Sequence, residues 1–245
     1  MPNGWEESAA AWIEDIGEHG DFGRQFVLDA PMLAQLEGRG FKTALDVGCG
    51  EGRFCRMLQA LGVRTVGIDP TESLIEHAQE RDPEGDYRVG RAEALELPDE
   101  GFDLVVSYLS LIDIPDIRRA IPEMARVLRP GGTLLIANLT SFNTAGNPPG
   151  WFNDRTGQPC FLIDYYLEER ACWASWHGIR IRNWHRPLSS YMSLLLEQGL
   201  ILRHFAEPAP RGGDPAKADR YRRVPYFLIM EWEKPMARSC GQLVT

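Results

Sequence analysis

Leu45-Asp46-Val47-Gly48-Cys49-Gly50-Glu51-Gly52 is the stretch on which the reading of this chain turns. Residues 44–48 form a short apolar run ending in glycine, the mark of a buried strand. Residues 53–61 follow with Phe54, Met57, Leu58 and Leu61 at helical spacing. A strand that enters a helix through Gly48, Gly50 and Gly52 leaves its backbone open to close approach by a ligand. The dinucleotide fingerprint GxGxxG would put its third glycine at position 53, which is Arg53. Asp46, just ahead of the turn, would repel a pyrophosphate and suits a cationic group. Asp69 stands 21 residues beyond Gly48 at the end of a second strand, 64–69. A carboxylate there can accept ribose hydroxyls whichever nucleoside cofactor is bound.

Working outward, the same alternation continues. Thr71 is placed to cap a helix carrying Leu74, Ile75 and Ala78 on one face. Residues 86–89 are a weak third strand and 102–108 a continuous apolar fourth. Asp116 is placed to cap a helix running to about Leu128, in which Pro122 should cause a kink or a split. Pro130-Gly131-Gly132 then reads as a turn into strand five, 133–139. Strands apolar on both faces, alternating with helices, predict a parallel sheet covered on both sides.

From Thr140 to Arg186 the alternation stops. This segment carries Trp151, Phe152, Phe161, Tyr165, Tyr166, Trp173, Trp176 and Trp184, and residues 173–185 read as strand, tight turn, strand. It is too long and too aromatic for a plain connection. Beyond it, Leu188, Tyr191, Met192, Leu195 and Leu196 form a helical stripe closed by Gly199. Two strands follow at 200–208 and 224–234, with 208–223 read as a loop and 236–245 as a frayed tail. Trp5 and Trp12, seven apart, put one face of an N-terminal helix against the body as a lid.

The composition narrows the function classes. With 44% hydrophobic and 25% charged residues in 245, the chain is globular rather than disordered or coiled-coil. A net charge of −9 makes nucleic acid an unlikely partner. No apolar run reaches the length of about 18 residues that a membrane helix needs. The N-terminus has no signal-peptide pattern, and the five cysteines form no CxxC pair. No metal site and a cytoplasmic location are expected.

Four ordered segments carry a resemblance: ALDVGCGEGRF (44–54), VGIDP (66–70), GRAEALELPDEGFDLVVSYLSL (90–111) and RVLRPGGTLLIA (126–137). Together they resemble the class I S-adenosylmethionine (SAM)-dependent methyltransferases, in the small-molecule, methyltransferase-11/25-like branch. The resemblance implies an α/β, Rossmann-like sheet of seven strands, ordered 3-2-1-4-5-7-6 with strand 7 antiparallel. Helices lie on both faces, and the aromatic segment is a cap insertion. The chain is expected to divide into an N-terminal lid (1–40), a cofactor core (41–139), the cap (140–186), a C-terminal helix and strands (187–235) and a tail (236–245).

The resemblance also implies site residues. Asp46, Gly48, Cys49, Gly50 and Gly52 would cradle the methionyl part of SAM. Apart from the resemblance, Arg24 of the N-terminal segment either meets the SAM carboxylate or is a solvated arginine. Asp69 would bind the ribose, and Pro70, Ala92 and Glu93 the adenine side. Tyr108 would face both cofactor and acceptor. In GRAEAL the family often has an aspartate where this chain has Arg91, which cannot accept a hydrogen bond. After strand four the family often has a histidine or an aromatic pair, where this chain has Ile112-Asp113. Among the five histidines, His185 is the candidate base or acceptor ligand, with a plain tether between cap and core as the other reading. Trp151, Tyr165, Tyr166 and Trp176 either line the acceptor pocket or form the cap's own core.

The reaction expected is transfer of a methyl group from SAM to an O, N or C nucleophile of a small-molecule acceptor by in-line displacement, in a monomer or homodimer. An RNA or protein methyltransferase, a non-catalytic SAM-binding protein and a nicotinamide oxidoreductase are the alternatives. The basic stretches 180–186 and 217–223 are the only support for a macromolecular acceptor.

Overall fold

Period-two burial on both faces of the strands organises the molecule. The computed structural model describes residues 3–236. The chain opens with α1 (Trp5–Ile16), a π-helical turn over Arg24–Leu28 and α2 (Asp29–Ala34). It continues through β1 (Thr43–Val47), α3 (Arg53–Ala60), β2 (Arg64–Asp69), α4 (Glu72–Arg81) and β3 (Asp86–Val89). Next come β4 (Phe102–Tyr108), α5 (Ile117–Val127) and β5 (Leu128–Leu139). The lobe contains α6 (Ser141–Thr144), β6 (Phe152–Asn153), β7 (Pro159–Cys160), β8 (Arg170–Trp176) and β9 (Ile179–His185). The chain then runs through α7 (Leu188–Glu197), β10 (Ile201–Ala206), α8 (Pro215–Arg223) and β11 (Phe227–Glu233).

The main sheet has the order β3-β2-β1-β4-β5-β11-β10. With the lobe's four short strands set aside, this is 3-2-1-4-5-7-6, and β11 runs antiparallel to both of its neighbours. In β5, Leu134 and Ile136 enter one core while Leu135 and Ala137 enter the other. In β11, Leu228, Met230 and Trp232 divide from Phe227 and Ile229 in the same way. One core is completed by α5 and α7, the other by the π-helical turn, α2 and α3. Burial of apolar area on both faces, at about 25 cal/mol per Å², dominates the stability of such a sheet.

Three expectations are corrected. Pro122 neither splits nor ends α5, which runs unbroken from Ile117 to Val127. The buried stripe of Ile117, Ala120, Ile121, Met124 and Ala125 holds the helix together despite the missing N–H. Pro130-Gly131-Gly132 is not a turn ahead of the strand but lies inside β5. There the register with β4 shifts, and Gly131, at φ 75°, donates its N–H to Lys234 O at 2.7 Å. The segment 208–223 is not all loop, because Asp214 caps α8 by accepting from Lys217 N at 2.7 Å, with Pro215 in the first turn. The expected tail lies, beyond Met236, outside the described residues. By contrast, the hairpin read at 173–185 is present: β8 and β9 pair antiparallel around His177 and Gly178, both at positive φ.

Candidate active site

The carboxyl ends of β1, β2 and β4 meet beneath one cavity, and their geometry follows from the glycines. Gly48 has φ 78°, and a Cβ there would stand 2.3 Å from Ser110 Cβ, so no other residue fits. The N–H groups of Gly48 and Cys49 both donate to Ile68 O, at 2.7 and 3.1 Å, which bends the turn back over β2. Asp69 then fixes the turn from below. Its carboxylate accepts from Gly50 N at 3.0 Å and Thr71 N at 2.9 Å, and two oxygens with further lone pairs still face the cavity rim. Burial pushes the Asp69 carboxyl up from its ordinary value.

Asp46 is the most telling group in this floor. It is 1% exposed and lines the cavity, and its Oδ1 has no hydrogen-bond partner among the described residues. Oδ2 has only the Cys55 thiol, at 3.6 Å. Burial pushes this carboxyl up to about 7. A buried carboxylate oxygen left without a donor is costly, and a cation brought into the cavity relieves that cost. The donor set therefore fits a cationic ligand.

The wall opposite is built by the N-terminal segment. Arg24 lines the cavity, with its guanidinium 4.9 Å from the Trp12 ring centre and 5.6 Å from that of Tyr108. Asp21 pairs with it at 3.2 Å. The Tyr108 hydroxyl donates to Asp29 Oδ1 at 2.7 Å, and Asp29 is held in turn by Arg53, 3.1 Å away at Oδ1. Arg53 also donates to His19 O at 2.7 Å. The residue that departs from the dinucleotide pattern thus ties the N-terminal segment to the glycine turn. Burial and the neighbouring Asp29 charge push the Tyr108 hydroxyl well above its ordinary range.

Of the residues singled out in the sequence, Arg24, Asp46, Gly48, Cys49, Gly50, Asp69, Pro70, Ala92, Glu93 and Tyr108 all line this cavity. Gly52 does not. It is the left-handed N-cap of α3, and a Cβ there would press on the Tyr87 ring at 2.6 Å, so it shapes the turn from outside. Glu93 pairs with Arg91 at 3.2 Å, which leaves Arg91 largely exposed at the rim.

The structure does not bring the five aromatic-lobe candidates to the cavity. Trp151 packs on Phe161 with Arg223 over its ring, and Tyr165 is 56% exposed. Trp176 lies behind Trp12 and donates from Nε1 to Asp15 at 3.2 Å. Tyr166 packs against Phe142 and His185. His185 is 1% exposed with both ring nitrogens engaged: Nδ1 with the Thr144 hydroxyl at 2.8 Å, and Nε2 with Tyr166 O at 2.9 Å. The nitrogen facing a carbonyl must carry the proton, so the ring is the neutral Nε2–H tautomer. Burial lowers its pKa.

The lobe nevertheless reaches the cavity through residues that the sequence reading passed over. Arg186 is buried and donates to the carbonyls of Leu111, Ile114 and Pro115 at 3.2, 2.7 and 3.0 Å. Trp184 N donates to Ile112 O at 2.7 Å, and Asn183 Nδ2 donates to Asp113 Oδ1. Arg182 and Asp113 line the cavity, as do Asn3 and Trp5 of the N-terminal segment. Arg182 and Arg186 sat in what read as a basic run. Their signal was a run of Arg interleaved with Trp and Ile, the pattern of a strand with one inward face.

Residues 45–136 match a family model described as a methyltransferase domain. A malonyl-[acyl-carrier protein] O-methyltransferase of Serratia marcescens is 30% identical over 135 residues, covering 55% of this chain and 48% of that protein. A ubiquinone biosynthesis O-methyltransferase of Bradyrhizobium sp. is 33% identical over 120 residues, covering 47% of this chain and 46% of that one. The chain thus spans about half the length of these relatives. A crystal structure of an S-adenosylmethionine-dependent methyltransferase from Mesorhizobium loti superposes with a TM-score of 0.76 at 26% identity, over 89% of this chain and all of that one. Residues 45–136 are thus similar to a methyltransferase domain, and the fold and glycine turn are similar to those of SAM-dependent methyltransferases, whose cofactor is SAM.

Proposed function

We propose that this protein moves a methyl group from SAM to a nucleophilic O, N or C atom of a small-molecule acceptor. The observation that carries the reading is Asp46, a buried carboxylate with an unpartnered oxygen beneath a glycine turn. When bound, SAM supplies an electrophilic methyl group and a sulfur that leaves with the bonding electrons. Asp46, Gly48, Cys49 and Gly50 hold its methionyl part, and Arg24 pairs with the carboxylate. Asp69 accepts the ribose hydroxyls, and Pro70, Ala92 and Glu93 flank the adenine. Tyr108 acts as a wall, since its hydroxyl already donates to Asp29. His185 tethers the lobe, and both of its nitrogens are engaged in that task.

Residues 1–40 serve as a lid, 41–139 as the cofactor core, 140–186 as the lobe that shapes the acceptor side and 187–235 as its support. No helix among the described residues is long and apolar enough to cross a membrane. In the basic stretch 180–186, Arg186 is buried and Arg182 lines the cavity, which leaves only Arg180 exposed and favours a small acceptor over RNA.

A thermal-shift titration with SAM, S-adenosylhomocysteine and NAD tests the reading. The two adenosyl compounds should raise the melting temperature by mass action, and Asp69→Ala should shrink the shift. Stabilisation by NAD alone would overturn the proposal.

A further inference from the structure

Asp113 stands where the lobe, the lid and the β4–α5 loop meet at the cavity. Its Oδ1 accepts from Asn183 of β9. Trp5 of α1 lines the same cavity, whose charged lining includes Arg24, Arg182, Asp46 and Asp69. The neighbouring backbone is clamped by Trp184 N on Ile112 O and by Arg186 on the carbonyls of Leu111, Ile114 and Pro115. The loop on which Asp113 sits is thus held from beneath, while its carboxylate keeps lone pairs for something in the cavity. Trp5 and Trp12, crossed at 88° with centroids 5.2 Å apart, and Tyr108 line the same cavity, with Arg24 over the Trp12 and Tyr108 rings. An aromatic lining of this kind takes a flat ring.

We propose that Asp113 is the catalytic base of this enzyme and that the acceptor is a planar, phenol-like molecule whose hydroxyl still carries its proton when it binds. This rests on the methyltransferase reading above. A carboxylate acceptor has no proton to give and would meet Asp113 and Asp69 as like charges. A hydroxyl gives its proton to Asp113 Oδ as its oxygen, keeping the O–H electron pair, bonds the methyl carbon. The C–S electron pair stays on sulfur, and the proton passes from Asp113 to solvent. Burial pushes this carboxyl up to about 8, closer to a phenol than an ordinary carboxylate is, and Asn183 and Arg24 oppose that rise.

The test uses the full chain, with Asp113→Asn, which keeps shape and hydrogen bonding, and Asp113→Glu, which keeps the base. Calorimetric SAM titration comes first. Failure of the wild type to bind SAM overturns the functional reading itself, whereas equal SAM affinity in wild type and Asp113→Asn assigns any loss of turnover to the acceptor side. A panel of mono- and dihydroxybenzenes is then offered beside matched benzoates and benzylamines. Expected are turnover of a hydroxybenzene, a fall in kcat of about a hundredfold or more in Asp113→Asn with KM little changed, and partial recovery in Asp113→Glu. The kcat–pH profile of the wild type should rise as the carboxyl loses its proton and flatten in Asp113→Asn. Binding is read separately with 4-nitrophenol on the protein loaded with S-adenosylhomocysteine. The probe's affinity for the wild type should change as the carboxyl titrates, a dependence that Asp113→Asn should lack. Transfer to the benzoates or benzylamines in preference, an unchanged kcat in Asp113→Asn, or a SAM-binding protein that takes neither the panel nor the probe overturns the proposal.

Discussion

The floor of the cavity and the aromatic lobe beside it are held by different kinds of contact. In the floor, residues close in sequence do the positioning: Gly48, Cys49 and Gly50 bend over Ile68 and Asp69 at the ends of adjacent strands. In the lobe, the decisive contacts join residues some 70 positions apart, as when Arg186 grips the carbonyls of Leu111, Ile114 and Pro115. The first kind is written in a motif. The second depends on which way a hairpin lies, and no short pattern encodes that.

The largest expected effect falls on the lobe. Arg186→Ala removes a buried guanidinium and strands three carbonyls, each costing about 1–3 kcal/mol. Differential scanning calorimetry should show a drop in melting temperature of roughly 10 °C, at about 2–4 °C per kcal/mol for a domain of this size. A drop within error would mean that the lobe is not seated through this residue. Asp69→Ala should weaken SAM binding by about 10- to 100-fold, since hydrogen bonds to a charged group contribute about 1.5–3 kcal/mol. Titration calorimetry on this variant separates floor from lobe: stability should change less than affinity.

His185 sharpens the contrast through pH. Its folded-state pKa is depressed below the ordinary 6.5, so its contribution is fully present above that value and is lost as pH falls through the folded pKa. Melting temperature should therefore decline in mildly acidic buffer, and His185→Gln should blunt the decline while leaving the kcat–pH profile in place. A shifted kcat profile would return His185 to the chemistry. The smallest effect is expected at Gly178→Ala. The turn holds this residue at φ 82°, but the nearest atom to an added Cβ is Ala11 Cβ at 3.5 Å, so strain rather than overlap decides. About 1 kcal/mol should be lost, with no change in SAM affinity.

The same contrast explains what could be read in advance. The strands and the cavity floor were legible because strand periodicity and the glycine turn are local, whereas the sheet order came from the resemblance. Gly52 shows the limit of that reading, since its place in the motif did not reveal that it faces Tyr87 rather than the cavity. Asp214-Pro215 is a helix start that was legible and was masked by the Pro, Gly and charge around it. Pro122 marks a case where tertiary burial outweighs a local rule. The lobe's rings read either as a pocket or as the lobe's own core because large aromatic side chains serve equally as lining and as filler. Trp176 behind Trp12 and Trp151 beneath Arg223 are filler for the lobe and lid, and only long-range packing tells the two uses apart.

The clamp on the loop after β4 is made almost wholly to main-chain oxygens. Trp184 and Arg186 would find those carbonyls whatever side chains residues 111–115 carried. Mutational drift along that loop can therefore retune what the enzyme accepts without unseating the hairpin that supports it. A scaffold fastened by its backbone is free to change its customers while keeping its joinery.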